Sequence, residues 1–403
     1  MSASLKSMVA KRLLTVGLVL ILASLACGLP DLGPTETPAL QQTEPVLPVT
    51  EPPATEPPAA TEPPVVEVTT ETEPPAAGQT GFVALKNGKL QAYDLYGTPG
   101  GQPYEALDLQ WLSEADLSFY PDAIYFAAFD SAGRGGFRTS AQGAQPLSFI
   151  PSTDPVAVAV SKETNRIAWS VDIYQNNPGG EIWIANLDGS NAQRVVYLDP
   201  ATNANYTVLK VRRFEADGSL LYSIEPTGIG GYILYGGWSS LYRYDPATNQ
   251  TSTILEYGDT FICVDDFAPE FRLAALHCDQ SLTIRNLQTQ VELSLPAVED
   301  QGQLGSAYFS PSADYVAYAV ARGDPEHEGS KLVLARVDGS TAPAVIAQRE
   351  GGVYKVEGWI NEDTLLVSWS DNFNPGYTLS SIRSDGSALT ELVSGAQFVG
   401  WLP

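Results

Sequence analysis

Between Gly305 and Gln348 short apolar runs alternate with polar turns. Ser306-Ala307-Tyr308-Phe309 comes first, followed by the turn Ser310-Pro311-Ser312-Ala313-Asp314. Tyr315 to Val320 is the second run, and a polar stretch from Arg322 to Ser330 separates it from the third, Lys331 to Val337. Asp338-Gly339 leads to the fourth, Thr341 to Ala347. Runs this short, bounded by Gly, Pro, Asp and Ser, predict strands rather than helices. Four in succession with turns between them predict one antiparallel blade of a β-propeller.

The pattern recurs. Turns expected between third and fourth strands fall near Gly97, Gly143, Asp188-Gly189, Asp245-Pro246-Ala247-Thr248, Gln288-Thr289, Asp338-Gly339 and Asp385-Gly386. Their spacing of about 40 to 60 residues is that of propeller blades. Asp-Gly between apolar runs is a hairpin signal, because both turn positions tolerate positive φ. Turns between first and second strands repeat as well: Phe309-Ser310-Pro311 matches Phe267-Ala268-Pro269, and Phe214 to Gly218 matches Trp359 to Asp363. The last residues, Ala396-Gln397-Phe398-Val399-Gly400-Trp401, match the first-strand segment Tyr354 to Trp359, yet no strands follow them. The domain opens with Gly81 to Leu85 and Lys89 to Tyr93 and lacks a first strand of its own. The C-terminal strand is therefore expected to complete the N-terminal blade and close the ring, leaving no open edge. The expected fold is all-β, with four-stranded antiparallel blades, seven by this count; six or eight stay open because Tyr104 to Ile150 is irregular.

Phe-Ser-Pro-x-x-x-x-Val-Ala-Tyr at 309–318, with a later strand ending in Asp-Gly-Ser, resembles the repeat of TolB-like β-propellers. The resemblance covers roughly residues 80–403. It implies the fold, and by analogy a protein partner at the cell envelope, but this repeat serves many unrelated activities.

Two other segments precede residue 80. Residues 1–27 read as a bacterial export signal: Lys6, Lys11 and Arg12 are followed by the apolar stretch Leu13 to Leu25, too short for a membrane span of about 20 residues. The segment ends in Ser24-Leu25-Ala26-Cys27, which resembles a lipoprotein signal with Ser24 where Leu is usual. Cys27 is the expected lipidation site, and two acyl chains suffice for anchoring. An ordinary signal, or an uncleaved anchor, is the alternative. Residues 28–79 repeat Thr-Glu-Pro at Thr43, Thr50, Thr55, Thr61 and Thr72, without an aromatic or basic side chain. Such a segment buries too little apolar surface to order itself and favours extended polyproline II, so a disordered spacer is expected. The protein is thus expected outside the cytoplasm, on the outer face of a membrane, as a monomer.

Net charge of −25 makes a nucleic-acid partner untenable. Three cysteines and two histidines exclude a Cys/His zinc cluster. Cys263 and Cys278 flank a predicted hairpin in an exported context, so a disulfide is expected, with two buried thiols as the alternative. Ligand residues are expected on the long loops after second strands. Asp172 and Asp371 end such strands, as do Asp130, Glu225 and Asp279, and with Asp324 they could ring a Ca²⁺ or simply cap their own turns. No other cofactor and no metal site is expected. The loop Thr227 to Trp238 offers Tyr232, Tyr235 and Trp238 as a stacking platform for a sugar or an anchor for a partner, or as core aromatics. His327 sits in an acidic loop, and His277 at a strand end reads as a packing residue. There is no Gly-x-Ser-x-Gly elbow and no catalytic residue is assigned. The leading expectation is a binding module for a protein or glycan. A surface glycan hydrolase or lyase working through loop carboxylates is the alternative.

Overall fold

The computed structural model describes residues 79–105, 117–120, 122–130, 133–140, 142–150, 155–174, 178–200, 207–226, 234, 240–256, 263–278, 281–298, 302–321, 329–370 and 377–402. The chain divides into two units, Met1–Thr70 and Glu71–Pro403, and every described residue belongs to the second. The export signal, Cys27 and the spacer up to residue 78 lie outside the described residues.

In chain order the strands are β1 (Gly81–Lys86), β2 (Lys89–Asp94) and β3 (Pro99–Glu105), then β4 (Ser118–Tyr120), β5 (Ala123–Asp130), β6 (Gly133–Ser140) and β7 (Gly143–Pro146). Next come β8 (Pro155–Ser161), β9 (Arg166–Tyr174), β10 (Pro178–Asn186) and β11 (Gln193–Leu198), followed by β12 (Thr207–Phe214), β13 (Leu220–Pro226), β14 (Ser240–Asp245) and β15 (Gln250–Leu255). The remainder are β16 (Cys263–Phe267), β17 (Leu273–Cys278), β18 (Ser281–Asn286) and β19 (Glu292–Ser294), β20 (Gln303–Phe309), β21 (Tyr315–Ala321), β22 (Ser330–Arg336) and β23 (Ala344–Arg349), and β24 (Val353–Asn361), β25 (Thr364–Ser370), β26 (Thr378–Arg383), β27 (Thr390–Val393) and β28 (Gln397–Leu402).

These form seven four-stranded antiparallel sheets. Six use four consecutive strands each, and the seventh has the order β28-β1-β2-β3. The C-terminal strand therefore completes the N-terminal blade, with Phe82 opposite Trp401 and Thr80 N donating to the Leu402 carbonyl at 3.1 Å. We number this composite blade 1 and the others 2 to 7 along the chain.

The core is distributed. Among the described residues the apolar clusters each join two neighbouring blades: Phe126 and Phe137 of blade 2 pack with Val83 and Val399 of blade 1, and Leu366 and Leu379 of blade 7 pack with Phe82 and Phe398. Equivalent clusters fill the remaining five junctions. Seven junctions in unbroken succession close a ring of seven, which settles the count against six or eight. First strands of successive blades touch one another and are mostly buried, as in β20 and β24; fourth strands such as β19 and β23 are exposed. First strands therefore line the axis and fourth strands the rim.

The Asp-Gly-Ser turns fold for a reason other than the one expected. Only the glycine takes positive φ, 84° at Gly189, 65° at Gly339 and 83° at Gly386. The aspartate instead turns its carboxylate onto the main chain: Asp188, Asp338 and Asp385 each accept the N–H two residues on, at 2.8–2.9 Å. Hydrogen bonding to Ser190 and Ser387 holds the Asp188 and Asp385 carboxyls below their ordinary range. For Asp338 the larger cause is the Arg336 guanidinium beside it. The glycine also meets the preceding blade. A Cβ on Gly189 would stand 2.3 Å from the Phe149 ring, and one on Gly386 would stand 2.6 Å from the Ile346 carbonyl. Each of these turns is a wedge against its neighbour.

Cys263 opens β16 and Cys278 closes β17, and across the ladder Cys263 pairs with His277, one place before Cys278. The side chains that would form the expected disulfide lie outside the description.

Candidate functional site

Antiparallel order gives the ring two unlike ends. Connections after first and third strands emerge at one end, and those after second and fourth strands at the other. At the first, the tight-turn end, they run two to seven residues. At the second, the long-segment end, residues 106–117 join β3 to β4, 227–239 join β13 to β14 and 322–329 join β21 to β22. Long connections on rigid strands are where binding residues collect. The connections at this end carry fifteen Asp or Glu and a single base, Arg322.

Tyr232, Tyr235, Trp238 and Asp371 belong to these connections and lie outside the described residues, as do Asp279, Asp324 and His327. Asp172 is described, and it corrects an expectation. Asp172 is expected to end a second strand before a long loop, but β9 runs on to Tyr174 and pairs with β10 from Pro178. Glycine permits this: a Cβ on Gly179 would stand 2.5 Å from Pro200, and one on Gly180 would meet Leu209 at 3.3 Å. Asp172 is therefore a buried strand residue with its Cα opposite Gly180. It does not share a loop with the other expected ligand residues. Among the described residues no group of three or more His, Cys, Asp or Glu is gathered that could hold a metal.

Leu234 is the described residue of segment 227–239. It is 1% exposed and packs with Ala317, Ala319, Val353 and Tyr354, at the junction of blades 6 and 7. Its carbonyl would lie 2.1 Å from a Cβ on Gly305, so this glycine in β20 makes room for the chain of blade 4. Leu234 thus lies beyond blade 5, as an anchor at the long-segment end.

A tier of buried polar groups lies on the axis. Several first strands carry a bulge at a matching place, which admits an extra residue beside the second strand. The extra residue is Arg212 in β12, Asp265 in β16 and Glu357 in β24. Each finds a polar partner on its own blade's second strand. Arg212 Nε donates to Ser223 Oγ at 2.9 Å, and its guanidinium pairs with Glu225. Asp265 Oδ2 lies 2.9 Å from His277 Nδ1, so the buried His277 is a polar partner of Asp265 as well as a packing residue. Ser368 Oγ donates to Glu357. The signal for this tier was present in the sequence as Val-Arg-Arg-Phe, Val-Asp-Asp-Phe and Val-Glu-Gly-Trp at 211–214, 264–267 and 356–359. A charged side chain breaking an apolar strand at the same place in three blades marks the bulge.

First strands are edge strands toward the axis, and their spare N–H groups need acceptors. The preceding blade supplies them. Val160 N donates to Ser118 Oγ and Tyr354 N to Ser330 Oγ, both at 2.7 Å. At the junction of blades 5 and 6 the acceptors are carboxylates: Ala307 N donates to Asp265 Oδ2 at 3.2 Å and Phe309 N to Asp266 Oδ2 at 2.9 Å. Burial pushes both carboxyls up. For Asp265 the His277 side chain and the Ala307 amide oppose it. Asp266 is raised to about 7, against the pull of the Phe309 and Phe267 amides. The tier fastens blades together.

No protein-family model and no curated protein matches the chain. Solved structures do. TolB from Acinetobacter baumannii is 15% identical with a TM-score of 0.41, over 72% of this chain and 66% of that one, just under two thirds of its length. A putative TolB from Agrobacterium tumefaciens is 15% identical with a TM-score of 0.39, over 65% of this chain and 95% of that one. The chain is similar in fold to TolB-like β-propellers. A Lactobacillus plantarum protein gives a TM-score of 0.49 at 15% identity, over 80% of this chain and 98% of that one. The propeller itself stands on the chain's own seven sheets and their closed succession.

Proposed function

We propose that this protein is a membrane-tethered, extracytoplasmic binding module that holds a protein partner at its long-segment end. The observation that supports this is the inequality of the two ends. One is built of turns of two to seven residues; the other extends connections of up to thirteen residues from rigid strands. Fifteen acids against one base there favour a partner with a cationic surface. Lipidation of Cys27 would place the module at the membrane, and residues 28–79 would hold it away from the surface.

The test uses the mature chain immobilised against an extract of the cell's own envelope and secreted material, beside Trp238→Ala. A protein captured by the parent chain and lost by the variant, with weaker capture at higher salt, supports the proposal. Capture unchanged by the variant and by salt removes the long-segment end as the site. A glycan recovered shortened would replace this reading with a glycan-active enzyme.

A further inference from the structure

The junction between blades 5 and 6 differs in kind from the others described. Where blades 2 and 3, or 6 and 7, are stitched by serine hydroxyls that receive an N–H of the next first strand, this junction is stitched by two consecutive carboxyls, Asp265 and Asp266. Both come from β16, where the bulge between Val264 and Asp266 brings the adjacent residues to β20 together. The charged groups around the pair are few. His277 on β17 stands 2.9 Å from Asp265, and Arg213 on β12 acts on Asp266 from a distance while bonded to Glu215. From β20 the pair receives main-chain N–H groups, those of Ala307 and Phe309. Among the described residues His277 contacts Asp265, and the cation that acts on Asp266 is the more distant Arg213. Two neighbouring carboxyls, Asp265 with its side chain 3% exposed and Asp266 in a half-buried residue, resist ionising together.

We propose that the junction of blades 5 and 6 is a titratable seam, which opens more readily as the solvent passes from acidic to neutral pH because ionised Asp266 is accommodated in water and not between the blades. In the closed ring the Asp266 carboxyl is neutral below neutral pH, its burial outweighing the two amides that favour charge. Opening hydrates it and lets it ionise at its ordinary, lower pH. The population of the open seam therefore rises through the interval between those two values and levels off above the higher one. The serine-stitched junctions contain no titrating stitch and should not follow.

Hydrogen exchange of the whole mature chain from pH 5 to pH 8, corrected for intrinsic amide rates, tests this directly. Protection at Ala307 and Phe309 is expected to fall by about a hundredfold. Val160 and Tyr354, which donate to Ser118 and Ser330, serve as internal references and should stay level. Asp266→Asn keeps an oxygen for the Phe309 amide and should flatten the dependence at both amides. If Ala307 and Phe309 track Val160 and Tyr354 across this range, the seam does not exist. A dependence that survives in a folded Asp266→Asn protein would equally overturn the assignment. Neither result bears on capture of a partner, so failure here and failure of the binding proposal are distinguishable.

Discussion

The two ends of this ring use the same side chain to opposite purposes. At the tight-turn end an aspartate is consumed by its own turn, as at Asp188, Asp338 and Asp385, or faces a strand-end arginine, as Glu215 faces Arg213. At the long-segment end the acids stand in connections that hold a single base. Acidity at the first end is the chemistry of folding, and at the second it belongs to the connections proposed to meet a partner. The difference teaches that a carboxylate's neighbours within two or three residues decide which role it takes.

The ring that both ends share gives the largest expected effect. Deleting residues 394–403 removes β28 and, with it, Phe398 and Val399 from two junctions. Loss of the cooperative melting transition, followed by circular dichroism, is expected for the whole propeller. If the truncated chain melts like the parent, the composite blade is not what closes the ring. Next is Gly189→Ala, which places a Cβ 2.3 Å from the Phe149 ring at a φ of 84°. Its expected cost is about 1–3 kcal/mol in urea denaturation.

Smaller effects separate the ends themselves. Asp385→Ala should lower Tm through the lost turn bond, whereas Asp324→Ala should leave Tm nearly unchanged and weaken partner capture. Equal losses would erase the distinction between the ends. The weakest probe is acid. Carboxyls held below their ordinary range contribute stability that is present above about pH 4 and is lost as pH falls further. Replacing Asp188, Asp338 and Asp385 with Asn should therefore flatten the fall of Tm below about pH 4. Asp324→Asn, Glu326→Gln and Glu328→Gln together should leave that slope as it was.

Much of the fold was legible in the sequence because it depends on local patterning. Alternating apolar runs, turn residues and the orphan strand at Phe398 to Trp401 were enough to favour seven blades over six or eight and to place the closure. What escaped were features decided by contacts between distant residues. Asp172 looked like a strand end because Gly179 and Gly180 read as turn residues; their glycines instead admit Pro200 and Leu209. His277 looked like packing alone because Asp265 lies twelve residues earlier, and only the β16–β17 ladder brings the two together. The candidate ligand aromatics could be named from composition alone, but the strong local signal in that segment, its glycines, gave no hint that Leu234 would anchor between blades 6 and 7.

The junction of β1 with β28 has a mechanical meaning. A pull delivered along the N-terminal segment enters the propeller at Gly81, in a strand held by β2 on one side and β28 on the other. Tension then loads two antiparallel ladders at once, and Thr80 N to Leu402 O is the first bond in its path. The strand that closes the circle is thus also one that would share the load of a pull on the N-terminal segment.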